Sequence, residues 1–137
     1  MNGEGRKRRE AMVIDTSIFV DLLRGEEKAA RYILKFEGEL RVSRLTIMEL
    51  IRGVKTKVEL DKLFKQLEDF GKIVIIETDE EISLKAGEIF RDLWLAEGIG
   101  MIDSFIASTA MVNGEELITR NAKHFKRIDG LDLIVPY

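Results

Sequence analysis

Four polar residues have the types and spacing that metal-assisted chemistry uses. They are Asp15 in Ile14-Asp15-Thr16-Ser17, Glu49 six residues after Ser43, Asp103 behind Gly98-Ile99-Gly100, and Asn121 in Thr119-Arg120-Asn121. Each follows a strand-like run or lies at the start of a helix-like one. In open parallel sheets, ligands bind beyond the carboxyl ends of the strands, where helix N-termini also gather. Three carboxylates brought to one such edge repel and raise each other's pKa values, and a divalent cation relieves that repulsion. Hard oxygen donors suit Mg²⁺ or Mn²⁺. The chemistry that needs this set is phosphodiester hydrolysis, in which the metal activates a water and stabilises charge at phosphorus. Taken singly, each residue also has a structural explanation. Asp15 or Ser17 can N-cap the next helix, and Thr46 and Glu49 have capping-box spacing. Asp103 suits the dipole of a helix's first turn, and Asn121 can cap a short helix ending near Arg127.

The elements that must position these residues are legible in the apolar pattern. Short β-branched runs at Ala11–Ile14, Leu40–Ser43, Ile73–Ile76, Leu117–Thr119 and Leu131–Val135 read as strands buried on both faces. Between them the period is helical: Leu60, Leu63, Phe64, Leu67 and Phe70 form one stripe. Thr56 and Glu59 precede it with capping-box spacing, and Thr78 and Glu81 repeat the signature ahead of Ile82, Ala86, Ile89 and Leu93. Gly98 and Gly100 end that helix, and another is expected from Met101 to Val112. Strands alternating with helices predict an α/β fold with a mostly parallel sheet.

Composition bounds the chemistry. A chain of 137 residues suits one compact domain, expected over residues 11–137 behind a disordered basic tail at 1–10. No cysteine is present, which excludes disulfides, thiolate metal sites and a cysteine nucleophile. One histidine, His124, cannot build a multi-histidine site. It is expected to be structural, beside Phe125. The net charge of −3 means that any nucleic-acid contact must use local basic patches. No apolar run approaches the ~20 residues that span a bilayer, and the first ten residues lack a signal peptide's apolar stretch. A soluble, cytoplasmic protein with no membrane contact is expected.

The acidic blocks, read in order, resemble the PIN-domain family, and within it the VapC-type toxins. The resemblance is carried by Val13-Ile14-Asp15-Thr16-Ser17 with Phe19-Val20-Asp21-Leu22-Leu23 and by the segment 43–53 ending Glu49-Leu50-Ile51-Arg52-Gly53. Asp103-Ser104-Phe105-Ile106-Ala107 and Ile118-Thr119-Arg120-Asn121 with His124-Phe125 complete it. It implies a three-layer α/β/α sandwich around a parallel sheet of about five strands. It also implies a Mg²⁺- or Mn²⁺-dependent endoribonuclease, commonly acting on structured RNA such as tRNA. The family's acids fall on Asp15, Glu49 and Asp103, with Asp15 and Asp103 expected as direct ligands. Glu49 is then a ligand or the group that positions the attacking water. The fourth acidic position falls on Asn121, which is neutral here and weakens a second metal site, although its carbonyl can still coordinate. Ser17 and Thr119 are expected to orient metal waters.

The basic residues Arg120, Lys123, Lys126 and Arg127 lie beside these blocks, and Arg44, Arg52, Lys55 and Lys57 flank them in sequence. They suit RNA phosphates equally as well as a solvated helix face. The resemblance further implies a homodimer and a protein antitoxin whose C-terminal segment fills the groove. Apolar Ile47, Leu50 and Ile51 are expected to remain open for pairing. Rival folds fit less well: a haloacid-dehalogenase-type phosphatase wants an aspartate where Ser17 stands, and a receiver domain wants an acidic pair and a late lysine that are missing. Two alternatives remain open, a PIN nuclease of RNA processing or decay without an antitoxin, and a catalytically weak PIN-fold binding module.

Overall fold

The computed structural model describes residues 10–137. The tail expected at residues 1–10 lies outside these, apart from Glu10. The chain runs β1 (Ala11–Ile14), α1 (Thr16–Leu23), α2 (Glu27–Lys35), β2 (Glu39–Ser43), α3 (Arg44–Arg52), α4 (Lys57–Phe70) and β3 (Ile73–Ile76). It continues through α5 (Glu80–Glu97), α6 (Met101–Val112), β4 (Leu117–Ile118), α7 (Ala122–Phe125) and β5 (Leu133–Ile134). The sheet has the order β3-β2-β1-β4-β5, and every pairing is parallel. From β1 the chain winds outward to β3, then returns to the opposite side of β1 for β4 and β5. That reversal opens a crevice at the carboxyl ends of β1 and β4.

The alternation of side chains along β1 separates two cores. Met12 and Ile14 pack with Ile18, Phe19, Ile33, Ile47, Leu50 and Leu63 from α1 to α4. Val13, between them, packs with Ile89, Ile106, Ala110 and Phe125 from α5, α6 and α7. The result is the expected three-layer sandwich, with β1 fully buried at its centre from Met12 onward. The edge strand β3 departs from the expectation of burial on both faces. Its Val74 and Ile75 are each 38% exposed, because an edge strand lacks a neighbour on one side.

Local signals explain most helix limits. At α4, both halves of the Thr56–Glu59 capping box form, and Gly71 closes the helix at φ 68°. At α5 the cap is Asp79 rather than Thr78: its carboxylate accepts from the Ile82 amide at 2.9 Å. Thr78 Oγ1 is left buried without a bond to another described residue. The α6 limits match the sequence expectation, and its Ser108 hydroxyl donates to the Ile82 carbonyl of α5 at 2.7 Å. Ile47 and Leu50 are core residues rather than open ones, because α3 turns them toward α1 and the sheet. Met48 is the α3 residue that stays 54% exposed. Among the described residues no helix is long and apolar enough to cross a membrane.

Candidate active site

The crevice at the strand ends is a polar cleft of about 530 Å³. Asp15, Glu49, Asp103 and Asn121 all line it, so the four residues singled out in sequence converge. Each comes from a different element. Asp15 directly follows β1, Glu49 lies within α3, Asp103 occupies the first turn of α6, and Asn121 precedes α7.

Asp15 occupies the N-cap position of α1, yet its side chain caps nothing. Its Oδ2 accepts from Thr119 Oγ1 at 2.7 Å and from Ser17 Oγ at 2.9 Å. The residue is 3% exposed, so these donors replace the water lost on burial. Ser17 Oγ also accepts the Arg120 amide at 3.1 Å, and Thr119 Oγ1 accepts the Asn121 amide at 2.9 Å. The loop after β4 is thus tied to the end of β1 through two hydroxyls. Asn121 likewise leaves α7 without a side-chain cap, which removes capping as its explanation.

Glu49 is held by Thr16, whose hydroxyl donates to Oε1 at 2.5 Å. Ser43, not Thr46, caps α3, accepting the Leu45 amide at 3.0 Å, so the capping-box reading of Thr46 and Glu49 does not apply. Asp103 carries the main electrostatic signature. Burial, then the Asp15 charge, raise its pKa, His124 opposes them, and Glu49 adds to the rise; the outcome is about 6. Asp103 feels the charges of Asp15 and Glu49, and the three carboxylates share this cleft without closing into a cage. Among the described residues, no three Asp, Glu or His side chains form a ready-made cation site. Such an open acidic set fits a hard divalent ion that keeps several waters and adds substrate oxygens to its shell.

His124 corrects a sequence expectation. It is half exposed rather than a packing residue, and its Nδ1 stands 3.6 Å from Asp103 Oδ2. α7 brings it there, with Phe125 alone turned into the core. Two further site residues were not anticipated. Thr16 orients Glu49, and Asp21 lines the cleft while bonded to Arg120 Nη1 at 2.8 Å and Tyr137 Oη at 2.7 Å. The signals for Asp21 in the sequence were its place in the Phe19-Val20-Asp21-Leu22-Leu23 block and its position one α1 turn beyond Ser17.

The basic residues divide. Arg120 lines the cleft. Lys123 and Arg127 line a smaller adjoining pocket with Asp103 and His124, and Arg127 stands 3.7 Å from Glu97. Lys126 is exposed and lines neither. Arg52 approaches Glu49 only to 3.9 Å, Arg44 pairs with Glu77, and Lys57 with Asp61.

A doubly wound parallel sheet with this acidic crevice defines an α/β sandwich of nuclease type, and comparison with known proteins agrees. The chain belongs to the PIN-domain family, whose sequence model matches residues 12–131. It is 33% identical over 129 residues to Ribonuclease VapC1 of Rickettsia felis, covering 90% of this chain and 94% of the relative. It is 35% identical over 129 residues to Ribonuclease VapC19 of Mycobacterium tuberculosis, covering 91% and 98%. Its fold is similar to that in the crystal structure of VapBC2 from Rickettsia felis bound to a promoter DNA fragment. There the TM-score is 0.74 at 27% identity, with 90% of this chain and 97% of that one covered.

Proposed function

We propose that this chain is a Mg²⁺- or Mn²⁺-dependent endoribonuclease of VapC type, the toxin of a toxin–antitoxin pair. The observation that carries the reading is the convergence of Asp15, Glu49 and Asp103 on one cleft, with Asp103 pushed up to about 6 by burial and by neighbouring carboxylates. Groups so perturbed in a cleft mark functional sites. Asp15 and Asp103 hold the ion, Asn121 offers a neutral carbonyl, and Glu49 is a further ligand or positions the attacking water. The bound metal supplies an activated water and stabilises charge developing on the phosphodiester.

The chain's own residues do the rest. Thr119 and Ser17 fix the Asp15 carboxylate, and Thr16 fixes that of Glu49, so their lone pairs face the cleft in set directions. Arg120, Lys123 and Arg127 border the acidic centre and offset its repulsion of RNA phosphates. Lys126 and Arg52 line neither the cleft nor the adjoining pocket and are the weaker contacts. An RNA substrate, tRNA among the candidates, puts this work in the cytoplasm. The described residues form one PIN-like domain in this reading, acting as a homodimer. A protein antitoxin masks the cleft, supported by the VapBC complex that the fold resembles.

Cleavage of a total RNA pool, with and without Mg²⁺, tests the reading. The native protein is expected to cleave only with metal, and Asp15→Asn to lose most of that activity. Equal cleavage by native protein and variant overturns the assignment. Light scattering tests the pairing: a particle of 15.7 kDa at micromolar concentration would remove the homodimer.

A further inference from the structure

Among the described residues lining the cleft, Arg120 is the one that is cationic at every working pH. Its position is built rather than incidental. The Arg120 amide is tied to Ser17 at 3.1 Å, beside the bond that Ser17 gives Asp15. Its guanidinium donates from Nη1 to Asp21 Oδ2 at 2.8 Å and lies 5.5 Å from the centre of the Tyr137 ring. The Tyr137 hydroxyl donates to the same Asp21 oxygen at 2.7 Å. Asp21 is buried in α1, while the Arg120 side chain remains 49% exposed. Burial works to raise the pKa of Asp21, but the bonds from Tyr137 and Arg120 outweigh it and lower the value, so the anion is present to hold the cation.

An unrestrained arginine loses rotamer freedom when it is fixed on a ligand. Here a carboxylate below and a ring beside it restrict the guanidinium beforehand. Nε and Nη2 make no bond to another described residue, which leaves one edge of the fork for a phosphate. An acidic cleft needs such a group, because three carboxylates repel the backbone they must approach.

We propose that Asp21 and Tyr137 are positioning residues that hold Arg120 at the cleft as a phosphate-binding group for the RNA strand. The inference rests on the ribonuclease reading and adds to it a fixed anchor for the substrate backbone. Among the described residues, Arg127 approaches only Glu97, at 3.7 Å, and Lys123 has no carboxylate and ring buttress like that of Arg120, so Arg120 supplies the ordered contact and they supply diffuse attraction.

Steady-state cleavage of total RNA, with KM expressed in nucleotide concentration, tests it. Arg120→Ala is expected to raise KM about tenfold with kcat within about twofold, since a contact made equally in ground and transition states changes KM alone. The slope of log(kcat/KM) against log[salt] should fall by about one, the signature of one lost phosphate contact. Arg120→Lys should not restore KM, because an ammonium cannot bond Asp21 and a phosphate through one planar fork. Tyr137→Leu removes both ring and hydroxyl. It should raise KM roughly threefold in the native background and leave it unchanged in Arg120→Ala, as expected for residues acting as one unit.

If Arg120→Ala leaves KM and the salt slope unchanged while the native protein cleaves RNA, the anchor is overturned and the ribonuclease reading stands. If Tyr137→Leu acts equally in both backgrounds, the positioning role is overturned. If the native protein cleaves no RNA with Mg²⁺ or Mn²⁺, the ribonuclease reading falls and this inference with it. Circular dichroism of each variant identifies loss of fold. Tyr137→Phe, which keeps the ring and drops only the Asp21 bond, provides the milder second variant and should raise KM less than Tyr137→Leu.

Discussion

Thr119 and Asp15 lie 104 residues apart in sequence, and the hydroxyl of one donates to the carboxylate of the other at 2.7 Å. The pairing follows from topology: β4 returns beside β1, so the residue after each strand arrives at the same crevice. It frees Asp15 from helix capping and aims it into the cleft. Thr119→Val keeps the shape of this fully buried residue and removes the donor. A hydrogen bond to a buried charge is worth about 1.5–3 kcal/mol, and the variant should lose stability in that range. Cleavage should fall about 10–100-fold, as for groups that orient a metal ligand. Urea unfolding and RNA cleavage on the same preparation check both effects.

Local determinants were readable in the sequence, whereas long-range ones were not. The Thr56–Glu59 box, the Gly98 stop and the limits of α6 depend on residues within a turn of each other, and each occurs as the sequence indicates. The acidic positions were legible because strand ends in a parallel sheet must share an edge. At α5 a neighbouring acid won the cap, since Asp79 reaches the Ile82 amide one position later than the Thr78 pattern requires. The Asp21–Arg120–Tyr137 cluster joins positions separated by 99 and 116 residues, and no local pattern encodes it. The place of His124 beside Asp103 has the same origin, since it depends on how α7 meets α6.

Asp103 predicts a pH dependence of stability with a definite sign. Its pKa rises from 3.8 to about 6 on folding, so the folded state holds its proton longer than the unfolded chain. The neutral form is the better tolerated one. Stability from this group is therefore fully present below the unfolded value and is lost as pH rises through about 6. The loss is on the order of 2 kcal/mol between about pH 4.5 and pH 7. Asp103→Asn should flatten that decline and be the more stable protein at pH 7, while cleaving RNA poorly. Urea midpoints at the two pH values, taken without divalent ions, measure it. An equal decline in native protein and variant would remove Asp103 as the source.

Gly38 tests the entry to β2. A Cβ there would stand 2.5 Å from the Glu10 carbonyl oxygen, against rigid backbone, while the adjacent Glu39 amide donates to that same carbonyl at 2.8 Å. Gly38→Ala must therefore push β2 away from the start of β1. A cost of about 1–3 kcal/mol is expected, as for other overpacked sites. Thermal unfolding checks it. An unchanged midpoint would mean that the strand entry shifts freely.

Asn121 sets the charge of the site. With a carboxamide there, the cleft carries the carboxylates of Asp15, Glu49 and Asp103 besides Asp21, which is taken by Arg120 and Tyr137, and a second divalent ion lacks an anionic ligand to offset its dehydration. Asn121→Asp adds that charge to a cleft in which Asp103 already resists ionisation. Without metal, the variant should be less stable than the native protein by about 0.5–1 kcal/mol at neutral pH, because like charges at this spacing repel. With metal the order should reverse, since an ion that binds only the folded state stabilises in proportion to its affinity. The Mg²⁺ concentration for half-maximal cleavage should fall several-fold. Capping does not offer a competing explanation, because the Asn121 side chain makes no cap bond to α7 and its amide is taken by Thr119. Unfolding midpoints across a Mg²⁺ titration of both proteins decide the matter. Parallel curves would mean that the residue at position 121 does not face the ion.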